Sequence, residues 1–161
     1  MVSDIILREV AETDLPILFE YESDPTAVHM AAFTAKNPAD RNSFNEHWVK
    51  ILSDPENIVR SIVFEGQLAG SIGSFVDPEF RKRELTYWIG RKYWGRGIAT
   101  TALSDFLHIV KTRPIYARSA HDNIASMRVL EKCGFKIIGH GSGFANARGK
   151  QIEEAILELR V

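Results

Sequence analysis

The segment Trp94-Gly95-Arg96-Gly97-Ile98-Ala99 is the strongest structural signal in this chain. It joins a strand-like run, Leu85–Ile89, to a long amphipathic helix pattern, Ile98–Val110. Its two glycines allow the backbone to approach a ligand without a Cβ in between. The helix that follows begins with unpaired N–H groups and a partial positive charge, which favours a phosphate or a pyrophosphate at this point. Arg96 adds a cation beside them, so the segment predicts a site for a phosphate-bearing cofactor.

This glycine pattern differs from two common phosphate-binding motifs. A P-loop requires Gly-x-x-x-x-Gly-Lys-Ser/Thr, and the chain contains no such run. A dinucleotide fingerprint requires Gly-x-Gly-x-x-Gly directly after a strand, whereas Thr100 occupies the third glycine position here and Gly90–Trp94 separates the strand from Gly95. The alternative interpretation is a tight strand–helix connection that binds nothing.

Composition limits the class of protein. The 161 residues include 20 basic and 21 acidic side chains, with a net charge of −1, so no overall basic field favours nucleic acid. No apolar run approaches the length of a membrane span, and no signal segment precedes the first strand-like pattern, Ile5–Leu7. The single cysteine, Cys133, excludes an internal disulfide and fits a reducing compartment. We therefore expect one cytoplasmic domain over residues 1–161, without nucleic-acid or membrane partners.

The order of predicted elements is βααββββαβαββ, an α+β domain with a mixed central sheet of about seven strands and helices on both faces. Apolar runs and turn signals give residue ranges for seven of the eight strands in this order: Ile5–Arg8, Ile58–Phe64, Leu68–Val76, Arg83–Ile89, Ile115–Ala120, Lys136–Ile138 and Gln151–Leu159. The second, third and fourth of these ranges are expected to form an antiparallel meander.

Helices are predicted from capping residues and apolar periodicity. The first begins at Thr13 or Asp14 and ends before Asp24-Pro25, and the second covers about Asp40 to Ser53. After Ile98–Val110, the last begins at the cap Asn123 and ends at Gly134 in the C′ position. Ala27–Phe33 is predicted to be an apolar loop, and Gly139–Lys150 a long mobile loop of a hairpin.

Three segments together resemble a known family. They are Tyr87-Trp88-Ile89-Gly90, Tyr93-Trp94-Gly95-Arg96-Gly97-Ile98-Ala99-Thr100 and Asp122-Asn123-Ile124-Ala125-Ser126-Met127-Arg128-Val129-Leu130-Glu131-Lys132-Cys133-Gly134-Phe135. They resemble the GNAT superfamily of acetyl-CoA-dependent N-acetyltransferases, and within it the ribosomal-protein N-terminal alanine/serine acetyltransferases and their relatives. The resemblance implies the GNAT fold and transfer of an acetyl group from acetyl-CoA to a primary amine, such as a protein or peptide N-terminal α-amine. Direct attack in a ternary complex is expected, because no cysteine in the motifs has a basic partner.

The same resemblance implies which residues bind acetyl-CoA. The glycine loop would hold the diphosphate, the strand backbone would pair with the pantetheine arm, and two polar residues of the last helix would complete the site: Tyr87, Trp88, Ile89, Trp94, Gly95, Arg96, Gly97, Ile98, Ala99, Thr100, Asn123 and Ser126. The superfamily commonly begins this loop with Arg or Gln, and Trp94 in that place is typical of the branch. Arg128 and Lys132 are either contacts of the 3′-phosphate or solvated helix charges.

The resemblance also suggests catalytic residues. Glu84 is either a base that acts through water or a strand-end charge paired with Arg81 or Arg83. Ser126 is a candidate donor of the proton to the leaving thiolate. Many superfamily members have a tyrosine for that role where this chain has Leu130.

The acceptor amine is expected between Ala27–Phe33 and Gly139–Lys150, with His29, Phe33 and Phe144 as candidate contacts. The alternatives are a small-molecule acceptor (amino sugar, polyamine, amino acid or drug) and a non-catalytic acyl-CoA sensor. The five histidines show no metal-ligand spacing, so no metal is expected. The protein is expected to be a monomer or a homodimer.

Overall fold

A seven-stranded mixed sheet organises the protein, for which a computed structural model describes residues 4–161. The strands are β1 Ile5–Arg8, β2 Ile58–Phe64, β3 Gln67–Val76, β4 Arg83–Ile89, β5 Ile115–Ala120, β6 Lys136–Ala145 and β7 Lys150–Leu159. The helices are α1 Leu15–Ser23, α2 Pro25–Ala31, α3 Arg41–Ser53, α4 Ile98–Ile109 and α5 Ile124–Lys132. Short 3₁₀ turns cover Glu12–Asp14 and Arg91–Tyr93. Within residues 4–161, every helix is too short or too polar to cross a bilayer.

The sheet has the strand order β1-β2-β3-β4-β5-β7-β6, and its only parallel neighbours along this described order are β4 and β5. On one side, β4 pairs with β3 along its whole length, from Val76–Arg83 to Gly70–Ile89. On the other side, the ladder between β4 and β5 consists of the pair Glu84–Tyr116. The two parallel strands therefore separate after Glu84, and the sheet has a gap in its middle.

Two apolar cores cover the two faces of the sheet. On one face, α4 buries Ile98, Ala102 and Phe106, each at most 1% exposed, against the residues around Ile62 and Ile72. The amphipathic pattern predicted for this helix is thus confirmed, and its apolar residues, spaced i, i+4, form a buried ridge. On the other face, α1 and α3 form a smaller core around Leu18, Trp48, Val59 and Leu68. Because α4 packs against β1, β3 and β4, its first turn is held firmly beside the end of β4.

The predicted fold class is confirmed, but the element order differs from the prediction in two places. Three strands, not four, lie between α3 and α4. The segment Ala27–Phe33, predicted to be a loop, is largely the helix α2. Asp24 caps α2 by accepting a hydrogen bond from the Ala27 N–H at 3.0 Å, and Pro25 occupies the first helical position, where its missing N–H has little cost. The Asp-Pro pair therefore both ends α1 and starts α2.

The predicted long mobile loop over Gly139–Lys150 is also wrong. β6 continues to Ala145 and pairs with β7 from Lys136–Glu158 to Ala145–Lys150, which leaves only residues 146–149 as a turn. That turn is tied to the chain that follows α2, because Asn146 Nδ2 donates to the Thr34 carbonyl at 2.7 Å and the Ala147 N–H donates to the Ala32 carbonyl at 3.1 Å. Glycine in a strand often marks a bulge, and the ladder between β6 and β7 shifts register between Ile137 and Gly139.

Local signals around α5 are confirmed. Asn123 Oδ1 accepts a hydrogen bond from the Ser126 N–H at 3.2 Å, as an N-cap does, and this places Ser126 at the third helical position. Gly134 follows the C-cap with φ of 96°, a left-handed conformation that favours glycine.

Asp14, predicted as a possible helix cap, has a different role. Its carboxylate makes no capping bond to α1 and is 6% exposed. It accepts hydrogen bonds from the Arg8 guanidinium at 2.6 and 2.8 Å, from the Ala11 N–H at 2.9 Å and from the Ser61 hydroxyl at 2.8 Å. The bonds from Arg8, with those from Ala11 and Ser61, lower the pKa of Asp14 to about 2. Asp14 thus joins β1 and β2 to the start of α1.

Candidate functional site

Two cavities of about 490 Å³ each meet where β4 and β5 separate. The first lies beside the start of α4, and the second lies on the side of β5 and β7. They share the lining residues Ala31, Tyr87, Trp88, Asn123 and Ser126. Two molecules that enter from the two cavities can therefore meet at the gap in the sheet.

All twelve residues predicted to bind the cofactor line the first cavity: Tyr87, Trp88, Ile89, Trp94, Gly95, Arg96, Gly97, Ile98, Ala99, Thr100, Asn123 and Ser126. The wall is completed by α2, through Ala27 and Met30, and by α5, through Arg128 and Lys132. Three cations and no carboxylate occur among the described residues that line this cavity: Arg96, Arg128 and Lys132. The first cavity therefore suits an anionic ligand.

The glycine loop gives this cavity its anion-binding backbone. Gly95 and Gly97 have φ of 73° and 76°, in the left-handed region that side chains rarely adopt. Gly97 is the N-cap of α4 and has no side chain to accept hydrogen bonds from the first turn. The first-turn N–H groups can therefore be capped by a ligand. Trp94 fixes the loop to β4, because its indole N–H donates to the Ile89 carbonyl at 2.8 Å, and the Arg96 guanidinium lies 5.0 Å from the centre of the Phe64 ring.

Within residues 4–161, the end of β4 has one edge that no strand pairs with. Tyr87, Trp88 and Ile89 pair with β3 on one side, but the ladder to β5 ends at Glu84. Peptide groups on that edge require other partners. An extended ligand that carries amide groups can supply them in the way that a strand pairs with a sheet edge.

A hydroxyl pair lies where the two cavities meet. The Tyr87 hydroxyl donates to Ser126 Oγ at 3.2 Å, and burial raises the pKa of Tyr87 above its ordinary value, so the phenol stays protonated at neutral pH. Because Tyr87 Oη donates to Ser126 Oγ, the hydrogen of Ser126 is free to point at another acceptor. Leu130 is 1% exposed and packs in the core, so it brings no hydroxyl to this junction, and the phenol described there is that of Tyr87 on β4.

The sequence predicts a role for the backbone of Tyr87 and none for its side chain. The alternation of side chains between the two faces of β4 does indicate where the Tyr87 ring lies. Tyr87 shares a face with Leu85 and Ile89, both buried under α4 and α5, so its ring had to point to the same side as α5.

The second cavity contains an ion cluster that spans three neighbouring strands. Arg118 on β5 donates from Nε to Glu84 Oε1 on β4 and from Nη1 to Glu154 Oε1 on β7, both at 3.0 Å. Glu84 is thus paired with Arg118 and not with Arg81 or Arg83. Arg81 pairs with Glu56 at 2.8 Å, and Arg83 donates to the Ser74 hydroxyl at 2.9 Å. The contacts to Glu84 and Glu154 raise the pKa of Arg118.

Arg118 and Glu154 were not predicted as site residues, because nothing in their local sequence marks them. They approach Glu84 only through the sheet order, in which β5 lies between β4 and β7. The described residues that line the second cavity include three carboxylates, Asp77, Glu84 and Glu154, against the single guanidinium of Arg118. The second cavity therefore suits a cationic ligand.

The three predicted acceptor contacts occupy different environments. Phe33 lines the second cavity. His29 is exposed on α2, and its carbonyl accepts a hydrogen bond from Arg148 Nε at 2.8 Å. Phe144 is 57% exposed on β6. Neither His29 nor Phe144 belongs to the described lining of the two cavities. Over residues 4–161, no group of three or more His, Cys, Asp or Glu side chains is arranged to hold a metal ion.

Arg148 connects the β6–β7 turn to the junction of the cavities. Its side chain is 9% exposed and donates to both oxygens of Asp122, at 2.8 and 3.1 Å. Asp122 precedes the cap Asn123, so this bidentate pair helps to fix the start of α5 and with it Ser126.

Comparison with known proteins agrees with this architecture. Residues 4–136 match the family model "Acetyltransferase (GNAT) domain". The chain is 28% identical over 112 residues to the Bacillus subtilis protein named "Putative ribosomal N-acetyltransferase YdaF", a match that covers 64% of this chain and 61% of that protein. It is 24% identical over 166 residues to "Uncharacterized N-acetyltransferase p20" of Bacillus licheniformis, covering 96% of this chain and 92% of that protein. The match to the first relative thus spans less than two thirds of its length.

Among solved structures, the spermidine N-acetyltransferase of Vibrio cholerae, in complex with CoA and spermine, has the same fold. It superposes with a TM-score of 0.83 at 19% sequence identity, covering 99% of this chain and 96% of that chain. At this identity the similarity establishes the fold and does not identify the substrate.

Proposed function

The chain belongs to the GNAT acetyltransferase family, and on that basis we propose that it transfers the acetyl group of acetyl-CoA to a primary amine. The observation that carries this proposal is the pair of cavities of opposite charge that meet at the gap between β4 and β5. The cationic cavity suits the anionic cofactor, and the acidic cavity suits a protonated amine. The thioester and the amine would meet beside Tyr87 and Ser126, in a ternary complex with direct attack.

In this proposal the first cavity holds acetyl-CoA through the backbone. The diphosphate binds the N–H groups of the glycine loop and of the first turn of α4, as anions do at helix N-termini. The pantetheine amides pair with the unpaired edge of β4 at Tyr87–Ile89. Backbone N–H groups of the same edge polarise the thioester carbonyl in the manner of an oxyanion hole.

The reaction requires a neutral amine, C–N bond formation, C–S bond cleavage and a proton for the leaving sulfur. We assign proton removal from the amine to Glu84, through water, in the second cavity. Ser126 donates its hydroxyl hydrogen to the sulfur, and the Tyr87 hydroxyl, which donates to Ser126 Oγ, replaces that hydrogen and regains its own from solvent. The proton that Glu84 takes from the amine returns to solvent. A thiol of ordinary pKa, about 8.5, leaves readily, so this donation contributes modestly.

For the acceptor we propose a protein or peptide N-terminal α-amine. The resemblance to ribosomal-protein acetyltransferases supports it, and so does the environment of Glu84, which already accepts a hydrogen bond from Arg118. An α-amine has a pKa of about 8 and is already partly neutral at physiological pH, whereas a lysine-like amine has a pKa of about 10.4. A carboxylate that is already hydrogen-bonded to an arginine therefore suits the α-amine better. Location in the cytoplasm and a monomeric or dimeric state remain predictions.

A polyamine is the second candidate acceptor, because the acidic second cavity also suits it and because the Vibrio cholerae structure contains spermine. Thiol release from acetyl-CoA, measured with and without amines, separates an enzyme from an acyl-CoA sensor. Mass spectrometry of the products then identifies the acetylated amine.

Glu84→Gln tests the proposed acceptor. For an α-amine we expect kcat to fall less than tenfold. We also expect the rising limb of the kcat/KM–pH profile to shift to higher pH, to about pH 8, where the amine itself loses its proton. For an acceptor of higher pKa, the loss should reach about 100-fold or more, the usual scale of general-base catalysis. The measurement is a pH–rate profile with a peptide substrate.

Glu56→Gln is the matched control for that experiment. Glu56 is an exposed carboxylate paired with an arginine, and it lies outside the described lining of both cavities. A Glu84→Gln profile that overlays both the unmodified enzyme and this control would show that Glu84 is not the base.

Phe33→Ala should raise the KM for the acceptor several-fold to about tenfold and leave the KM for acetyl-CoA nearly unchanged, because an aromatic wall of the second cavity is lost. Phe144→Ala provides the comparison, since its ring lies on the exposed edge strand and a smaller effect is expected. Equal changes in both KM values for Phe33→Ala would remove this residue from the acceptor site.

A further inference from the structure

The cluster of Glu84, Arg118 and Glu154 places one cation inside an otherwise acidic cavity. Arg118 bridges the two carboxylates with hydrogen bonds of 3.0 Å each, and its side chain is still 48% exposed to the cavity and solvent. Only one oxygen of each carboxylate is used by Arg118. The cluster can therefore accept one further cation, but that cation must approach next to the guanidinium.

The number of charges on the acceptor then decides how well it fits. An α-ammonium group carries a single positive charge, which is lost on acetylation. A polyamine brings additional ammonium groups that stay charged throughout the reaction, and these must lie in the same cavity as Arg118. Like charges brought together in a partly desolvated site oppose binding, a common way to reject a wrong partner.

From this arrangement we propose that Arg118 is a specificity-determining residue that excludes polycationic amines and so favours an acceptor with one α-amine. This inference rests on the proposed function and adds to it the discrimination between its two candidate acceptors. Arg118 is assigned no part in bond making or breaking. Arg118 changes the rate at which polyamines are acetylated relative to the rate for α-amines.

The test compares kcat/KM for spermidine with kcat/KM for a peptide that has an N-terminal alanine or serine and no lysine. Arg118→Gln should raise the spermidine-to-peptide ratio at least about tenfold at low ionic strength. The change should shrink as salt is added, because the Debye length falls from about 30 Å at 0.01 M to about 8 Å at 0.15 M. A residue that only supports the fold would lower both rates together and leave the ratio unchanged.

Three variants of defined charge serve as controls. Arg118→Lys keeps the cation and should keep the peptide preference. The double variant Arg118→Gln with Glu154→Gln returns the cluster to its original net charge and should restore the original ratio. Arg160→Gln removes an exposed cation that pairs with Glu158, outside the described lining of both cavities, and should not change the ratio.

If circular dichroism shows that Arg118→Gln does not fold, Glu154→Gln alone is used to test the inference. It leaves Arg118 opposed by Glu84 only, and should lower the spermidine-to-peptide ratio at least several-fold. An unchanged spermidine-to-peptide ratio in Arg118→Gln overturns the inference but not the proposed function. The same holds for an unchanged ratio in Glu154→Gln when Arg118→Gln does not fold. A preference of the unmodified enzyme for spermidine also overturns the inference and leaves the proposed function standing. Transfer to neither amine, together with no binding of acetyl-CoA, overturns the proposed function itself, and the inference with it.

Discussion

Gly97→Glu is expected to weaken acetyl-CoA binding by at least about tenfold, or about 1.4 kcal/mol, while the protein still folds. Gly97 is the N-cap of α4 and lines the first cavity. A glutamate there adds a side chain and a negative charge where we place the diphosphate. Its carboxylate can also occupy the anion site at the helix N-terminus in place of the ligand. That same interaction offsets part of the strain of about 1–2 kcal/mol expected for a side chain at φ of 76°.

Gly66→Glu is the matched control. Gly66 lies in the turn between β2 and β3 with φ of 79°, and a Cβ added there would meet no atom within 4 Å. It therefore introduces the same charge and a similar backbone strain, outside the described lining of the cavities. Isothermal titration calorimetry with acetyl-CoA compares the two. If Gly97→Glu binds acetyl-CoA as tightly as Gly66→Glu, the glycine loop does not hold the diphosphate.

Asp14→Ala is expected to lower the free energy of unfolding by about 2–3 kcal/mol, measured by urea denaturation. The change leaves the Ala11 N–H and the Ser61 hydroxyl without their acceptor and removes two hydrogen bonds to Arg8. Water screens the charge of Arg8, which is 43% exposed, so the ion pair itself contributes the smaller share. Asp40→Ala, which removes only the exposed cap of α3, should lower the free energy of unfolding less than Asp14→Ala does.

The Asp14 contribution also depends on pH. Its pKa is about 2 in the folded protein, against an ordinary value of 3.8, so the folded state binds fewer protons than the unfolded state between these values. The stabilisation is therefore complete above about pH 4 and is lost as the pH falls through about 2. Denaturation curves of the unmodified protein and Asp14→Ala should differ at pH 7 and converge towards pH 2. A difference that does not depend on pH would contradict the role given to the ionised carboxylate.

Elements with a local cause could be predicted from the sequence. The N-cap bond of Asn123, the left-handed Gly134 and the apolar ridge of α4 each depend on residues a few positions apart. The errors occurred where two local signals compete. Asp24-Pro25 both breaks and starts a helix, and the glycines of β6 indicate a loop unless pairing with β7 is known.

The same distinction separates the two cavities. The residues of the first come mainly from β4, the glycine loop and α5, so a short stretch of chain carries most of its pattern. The second combines Phe33, the β3–β4 connection, β5 and Glu154, which are far apart in sequence. Arg118 and Glu154 could be found only from the strand order, because side chains meet across a sheet whatever their distance along the chain.

The gap between β4 and β5 affects the stability of the sheet and the cooperativity of its unfolding. The antiparallel strands β1–β4 form one half of the sheet and β5, β7 and β6 form the other, and their backbones join at Glu84–Tyr116. A pantetheine arm that pairs with β4 would then act as a short additional strand between the halves. A ligand present at 100 times its Kd adds about 2.7 kcal/mol to the stability of a folded state that alone binds it. Bound acetyl-CoA would therefore link the two half-sheets. We expect them to unfold more cooperatively, as a single unit, when acetyl-CoA is bound than when it is absent.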